Sequence, residues 1–336
     1  MPADGVHRIA LPTPFQIGAV SCWLLDGDPL TLVDPGPRSA ATRAALERGM
    51  AARGRRIQDV EQIVLTHQHH DHVGLAAEVR ARSGARVAAV APLARYLGAF
   101  EHSMDRNDAY ACALMARHGI DGETAATLDG VSRSFRRFSG GVEVDEILSP
   151  GGALTAGGRT FTVCARPGHS PTDTVFLDAR AGLLVAGDHL LARIASNPVA
   201  HAPIDDRDPT AVAVGADRPR PLVDLVASLR ATATMDVATV LPGHGEPFAG
   251  HRELIERRIA GHMRRARRIL RAVDGRPTAS EIAARLWRDL PVTHAYVVLC
   301  EVFGHLDLLT VDGRVREVER DGLAAWEVAT AARAAA

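Results

Sequence analysis

The chain of 336 residues contains no lysine; every basic side chain apart from histidine is an arginine. Basic and acidic residues nearly cancel, 39 against 40, so no strong global field draws the chain to nucleic acid or anionic lipid. Cysteine is scarce. Cys22, Cys112, Cys164 and Cys300 are scattered without close spacing, which argues against a disulfide framework and for reduced thiols. No apolar run approaches the ~18 residues that read as a membrane span, so no membrane partner is expected. The N-terminus lacks a basic segment followed by a long apolar core, so the expectation is a cytoplasmic protein without an export signal. The remaining composition, 46% hydrophobic and 24% charged, is that of a globular protein with a sizeable core. The length suggests two domains.

Histidine is where the chain is rich. Thr66-His67-Gln68-His69-His70-Asp71-His72-Val73-Gly74 carries the pattern H-x-H-x-D-H just after the apolar run Ile63-Val64-Leu65. Imidazole and carboxylate are the side chains that bind zinc and similar ions at neutral pH. In extended chain, residues two apart point the same way, so His67 and His69 can reach one metal. Asp71 and His72 fall where the chain turns into a helix and can serve a second. Four ligands do not close two sites. His169 in Pro167-Gly168-His169, Asp188 in Ala186-Gly187-Asp188 and His244 in Pro242-Gly243-His244 each end an apolar, strand-like run beside glycine. Leu32-Val33-Asp34-Pro35-Gly36 has the same form. Its carboxylate is either a support for a ligand imidazole or a simple turn-forming Asp before Pro-Gly.

These five blocks, in this order, resemble the metallo-β-lactamase superfamily of metal-dependent hydrolases over roughly residues 8–250. The resemblance implies an α/β fold, a four-layer αββα sandwich, and two metal ions: zinc first, with iron or manganese as alternatives. Carried over block by block, His67, His69 and His169 match the first metal site. Asp71, His72 and His244 match the second, and Asp188 matches the bridging carboxylate. The implied reaction is hydrolysis by a hydroxide shared between the ions. Asp71 can accept a hydrogen bond from it and pass a proton to the leaving group, with Asp34 behind the ligands. Members that open β-lactam rings generally lack an acid at the Asp188 position, so lactamase activity is not expected.

Along the chain, two strands surround the turn Asp26-Gly27-Asp28-Pro29, and an alanine-rich helix covers 39–53 with Ser39 as its cap. A strand at 61–66, a helix at 72–83 and a strand at 86–91 follow. Short strands are predicted at 160–165, 173–178, 182–187 and 237–241. Between them, 93–140 reads as two or three inserted helices, either a lid or substrate wall or simple packing on the core. A hydrolase domain of residues 1–250 is thus followed by a second unit, 251–336. Its long arginine-rich helix, 251–273, ends before Pro277. Thr278-Ala-Ser-Glu281 has the form of a capping box. A helix of about Thr293–Leu309 leads into a hairpin around Asp312-Gly313. This order resembles the winged-helix domain that follows the hydrolase domain in some family members, including an endoribonuclease branch. Residues 329–336 are mostly alanine and are expected to fray.

Two function classes compete. The first is a small-molecule hydrolase acting on a thioester, ester or lactone, resembling hydroxyacylglutathione hydrolases. The second is an endoribonuclease or phosphodiesterase, suggested by the C-terminal resemblance and the arginine-rich helix. That helix also carries Glu253 and Glu256, and Thr293–Leu309 has no arginine, so a nucleic-acid partner is not favoured and packing or a homodimer through the C-terminal segment is. Redox chemistry on one iron is disfavoured by the full two-metal ligand set. Other side chains are read plainly. His70 is a non-ligand, and His189 either lines the pocket or does not. His251, His262, His294 and His305 are structural or solvated, Cys164 is a buried thiol rather than a ligand, and Arg193 is a surface arginine before it is an anion contact.

Overall fold

A computed structural model describes residues 4–287 and 291–329. The alanine tail from residue 330, expected to fray, lies outside the described residues. The strands are β1 (Val6–Leu11), β2 (Val20–Leu25), β3 (Thr31–Val33), β4 (Gln62–Val64), β5 (Arg86–Val90), β6 (Glu146–Leu148), β7 (Ala153–Ala156), β8 (Arg159–Ala165), β9 (Thr174–Asp178), β10 (Leu183–Gly187), β11 (Thr239–Pro242), β12 (Val315–Arg320) and β13 (Leu323–Val328). The α-helices are α1 (Ala40–Ala51), α2 (His70–Val73), α3 (Ala76–Ser83), α4 (Ala91–Gly98), α5 (Phe100–Arg117), α6 (Gly122–Phe135), α7 (Pro209–Val214), α8 (Pro221–Ala233), α9 (His251–Ala272), α10 (Ala279–Leu286) and α11 (Ala295–Val311).

Strands β1 to β6 form one sheet in chain order, antiparallel from β1 to β3 and parallel from β3 to β6. The other large sheet runs β11-β10-β9-β8-β7. Its side chains alternate between two cores, as a pleated strand requires. Phe161, Val163, Phe176, Leu183, Val185 and Leu241 join the first sheet's core, while Val175, Leu184, Ala186 and Val240 turn to α8 and α9. On the far side of the first sheet, Leu46 and Met50 of α1, Val79 of α3 and Leu93 of α4 close the same core. The result is helices, sheet, sheet, helices, as the resemblance implied.

Local signals explain most element ends. The Ser39 hydroxyl accepts the Thr42 N–H at the start of α1, and Thr278 and Glu281 form the expected capping box on α10. The helix expected over 72–83 begins earlier and is split into α2 and α3 at Gly74-Leu75. Unexpected was α8, although Pro221 at its first turn and Leu222, Leu225, Val226 and Leu229 at helical spacing mark it.

The C-terminal order is helix, helix, helix, hairpin, but the expected hairpin turn is displaced. Helix α11 continues to Val311, and Asp312-Gly313 terminates it, with Gly313 at φ 65° and the Arg314 N–H bonded to the Leu309 carbonyl. The turn between β12 and β13 is Asp321-Gly322, with φ of 54° and 79°. Asp-Gly suits both a helix stop and a type I′ turn, because both need left-handed backbone. This segment shares its core with the insertion: Tyr110, Leu114 and Leu128 pack with Ile269, Ile282, Phe303, Leu306 and Trp326. The stretch Val292–Val311 is as long and apolar as a membrane span. Its apolarity serves packing, since every residue from Leu299 to Leu309 except Glu301 is buried.

Inside that core Arg218 and Asp307 form a bidentate pair at 2.6 and 2.8 Å, both almost fully buried. Asp307→Ala strands the guanidinium and is expected to cost about 3–5 kcal/mol in urea unfolding, whereas the double replacement Arg218→Met, Asp307→Leu should recover most of that loss. Equal losses in both proteins would refute this.

Candidate metal centre

All seven expected ligands come from loops or short helix starts along one edge of the two sheets, after β4, β8, β10 and β11. Three sets of ligand atoms lie within 4.8 Å of one another: His67, His69 and His169; Asp71, His72 and His244; and Asp34, His67 and His72. Asp188 reaches the first two sets, with its oxygens 3.6 Å from His169 Nε2, 3.4 Å from His244 Nε2 and 3.5 Å from His72 Nε2. Asp71 lies 3.3 Å from His244 Nε2.

The back of each ring is tied down. Asp34, in left-handed backbone at φ 53°, turns its carboxylate inward from the end of β3. It accepts from the Thr66 N–H at 2.9 Å, the Thr66 hydroxyl at 2.6 Å and His72 Nδ1 at 2.9 Å. The Thr66 oxygen in turn meets His67 Nδ1 at 2.9 Å. Both Asp34 oxygens thus accept from the protein, and its closeness to His67 and His72 reflects support rather than a third metal position. His169 Nδ1 is held by the Asn197 carbonyl at 2.9 Å and His244 Nδ1 by the Ala19 carbonyl at 3.0 Å. These bonds fix the Nδ1–H tautomer and leave each Nε2 lone pair facing the centre. His69 is reversed: its Nδ1 faces inward and its Nε2 lies 3.4 Å from His201 Nε2.

The donor set fits cations. His69 Nδ1 is 3.1 Å from His67 Nε2 and 2.9 Å from His169 Nε2, although each of these nitrogens presents a lone pair. Tetrahedral ligands at zinc–nitrogen distances near 2.0–2.1 Å would lie about 3.3 Å apart. His72 Nε2, His244 Nε2 and Asp188 Oδ1 are buried without a hydrogen-bond partner among the described residues. Burial pushes His67 and His69 well below the usual imidazole range and keeps them neutral. Burial also opposes charge on His72 and His244, but Asp188 and Asp71 outweigh it, raising His72 strongly and His244 to about 9. Burial likewise disfavours ionised Asp188, yet His72 and His244 hold it well below the carboxylate range. The buried carboxylates demand positive charge, which protons or metal ions can supply. Gly243 makes room for this: a Cβ there would lie 2.1 Å from Asp188 Oδ1 and 2.8 Å from the His72 ring.

His201 was not singled out by the sequence. It lies in the irregular stretch Ala200-His201-Ala202-Pro203, with no strand or glycine beside it to mark it. It separates His69 from a cavity of about 250 Å³ walled by α4, α5 and residues 201–206. The remaining expectations are resolved individually. His189 turns away and bonds Thr232 on α8 at 2.9 Å. His70 is half-buried near Phe100, Cys164 is half-buried rather than buried, and Arg193 is exposed. His262 and His305 pair with each other at 3.3 Å in the C-terminal core.

With this geometry in place, similarity to known proteins decides the family. The profile of the metallo-beta-lactamase superfamily matches residues 16–244, more than half of the chain. The chain belongs to the metallo-β-lactamase superfamily. A probable metallo-hydrolase of Bacillus subtilis (strain 168), YqjP, is 31% identical over 313 residues, covering 93% of this chain and 94% of its own. A metallo-beta-lactamase family protein from Thermus thermophilus superposes with a TM-score of 0.75 at 26% identity, covering 97% of this chain and 99% of that one. A beta-lactamase domain protein from Burkholderia ambifaria gives 0.80 at 26% identity, over 97% and 93%. All three similarities extend past residue 250, so the C-terminal segment is part of the shared architecture. This superfamily member is a metallo-hydrolase, and it carries His/Asp groups able to hold metal.

Gly243→Ala should therefore bind less metal by elemental analysis while keeping its far-ultraviolet circular dichroism; wild-type metal content in the variant would refute the close approach. A pH effect follows from His244. A value raised from 6.5 to about 9 stabilises the fold fully below pH 6.5 and ceases to as pH rises through 9. Chelator-stripped protein should lose about 2–3 kcal/mol between those limits, and zinc-loaded protein should not. Parallel pH–stability curves would contradict it.

Proposed function

We propose that this metallo-hydrolase holds two ions, zinc in the first instance, and cleaves a small-molecule thioester, ester or lactone in the manner of the hydroxyacylglutathione hydrolases. The observation that carries this reading is the cavity of about 250 Å³ lined by Gln68 and by His201, the side chain that meets His69. It is a recess for a small acyl group, walled by a helical insertion, whereas a nucleic-acid strand needs an open track.

In this reading His67, His69 and His169 would hold one ion and His72, His244 and Asp71 the other, with Asp188 able to serve both. Bound there, the ions would lower the pKa of a water from about 16 to about 7 and neutralise charge developing on the substrate oxygen. Asp71 is the cluster carboxylate most open to the outside, 9% exposed against 2% for Asp34 and 3% for Asp188. Its free oxygen is thus placed to take the proton of the attacking water and return it to the leaving thiolate or alkoxide. Asp34 stays behind the rings and fixes their protons, a positioning role.

One observation favours the phosphodiesterase alternative. Arg257, Arg264, Arg267 and Arg271 lie on one exposed face of α9 and make no ion pair among the described residues. A helix–helix–helix–hairpin unit read as winged-helix-like could present them to a phosphate backbone. Against it, Arg258, Arg265 and Arg268 of the same helix are spent on docking, bonding the Leu191 and Ile194 carbonyls, Glu301 and the Leu286 carbonyl.

Zinc-reconstituted protein is expected to hold about two ions per chain, and Asp71→Asn to hold fewer and to lose at least ~100-fold in kcat/KM. A panel of acyl-thioesters, lactones, bis-nitrophenyl phosphate and single-stranded RNA separates the readings. Thioester or lactone turnover is expected; RNA cleavage that falls steeply with salt, without either, would replace this reading with the alternative.

A further inference from the structure

The cavity beside the metal centre is rich in donors that lack partners. Gln68, between His67 and His69 and 2% exposed, lines it, and its Nε2 is buried with no hydrogen-bond partner among the described residues. The amide orientation follows from its neighbours. The Thr172 hydroxyl donates to Gln68 Oε1 while the Ser170 hydroxyl donates to Asp173 at 2.9 Å, an arrangement that leaves the Gln68 amide N–H groups free. His201 offers another. His69 turns Nδ1 to the metal centre, so its Nε2–H donates to His201 Nε2, and the His201 proton must reside on Nδ1. That Nδ1 is also buried and unpartnered.

Charge on the wall is uneven. Of the four charged side chains that line it, Arg95 is paired with Asp206, and Asp205 is neutralised by Arg207 at 2.7 Å. Arg106 is half-buried and makes no direct ion pair among the described residues, although Asp205 and Asp208 lie close enough to feel its charge; it uses only one N–H, to the Arg207 carbonyl at 2.6 Å. A guanidinium has five donors, so four remain. A ligand that satisfies Arg106, the Gln68 amide and His201 brings acceptor oxygens and a negative charge.

We propose that the cavity takes an anionic arm of the substrate, a carboxylate or phosphate, with Arg106 pairing its charge and the Gln68 amide and His201 Nδ1–H binding oxygens nearer the scissile bond. This rests on the cluster being the site of ester or thioester hydrolysis, and it narrows the substrate to acyl compounds with an acidic terminus.

Three thioesters of equal acyl length, ending in methyl, carboxylate or phosphate, test it with zinc-loaded protein. The wild type should prefer one anionic substrate over the methyl one by at least about tenfold in kcat/KM, and which one identifies the anion. Arg106→Ala should lose about 10- to 100-fold of that preference, chiefly through KM, and Arg106→Lys should keep part of it. Arg180→Ala, at the far end of the sheet, should keep all of it. Equal use of all three thioesters, or an equal loss on each in Arg106→Ala, would overturn the proposal and leave the hydrolase reading intact. If only phosphodiesters are cleaved, the hydrolase reading fails and direct titration with glutarate and inorganic phosphate decides the cavity. Binding at least tenfold weaker in Arg106→Ala supports it, and no difference overturns it.

Discussion

The structure depends on keeping five imidazole nitrogens aimed at one small volume. Unaided, that arrangement is unfavourable, because the lone pairs of His67, His69 and His169 face one another and the buried carboxylates need protons on His72 and His244, or metal ions, as counter-charge. It persists because each ring is held from behind. Asp34 secures His72 directly and His67 through Thr66, while the Asn197 and Ala19 carbonyls secure His169 and His244. These anchors come from four separate loops, so the sandwich must be complete before the centre exists. Metal affinity is then part of fold stability, and loss of an anchor should weaken binding even where no ligand atom is touched.

Much of this was legible in the sequence because metal ligands and sharp turns leave residue-level traces. His67, His69, Asp71, His72, His169, Asp188 and His244 stood out through spacing and adjacent glycine, and the structure gathers all seven. Gly243 shows why that glycine signal carries meaning: any side chain there would enter the space Asp188 uses. What escaped lies where chemistry is set by approach through space. His201 meets His69 across 132 positions of sequence. Nothing in its Ala-His-Ala-Pro context distinguishes it from a surface histidine. Thr66 stood in the cluster but its role requires knowing where Asp34 points.

The hairpin misreading has a different origin. Asp312-Gly313 and Asp321-Gly322 are the same dipeptide, and both adopt positive φ at the glycine. Local chemistry cannot say whether such a pair stops a helix or reverses a strand. Packing decides: Leu306 and Leu309 are buried at helical spacing, so the helix continues up to the first pair.

The C-terminal segment has a purpose in this architecture that needs no nucleic acid. Helix α5 carries Ser103, Arg106 and Asn107 on the cavity wall, and further along the same stripe Tyr110 and Leu114 are buried in the core shared with α11. The Tyr296 hydroxyl of α11 donates to the Ala200 carbonyl at 2.8 Å, next to His201. Asn107 accepts the Ala202 N–H at 3.1 Å on the other side. Both walls of the cavity are thus fixed by contacts with α5 and α11. The buried Arg218–Asp307 pair lies on the route by which α11 is held, bidentate and almost free of solvent. Helix α5, which walls the cavity beside His201, is thus packed as part of a second core, shared with the C-terminal segment.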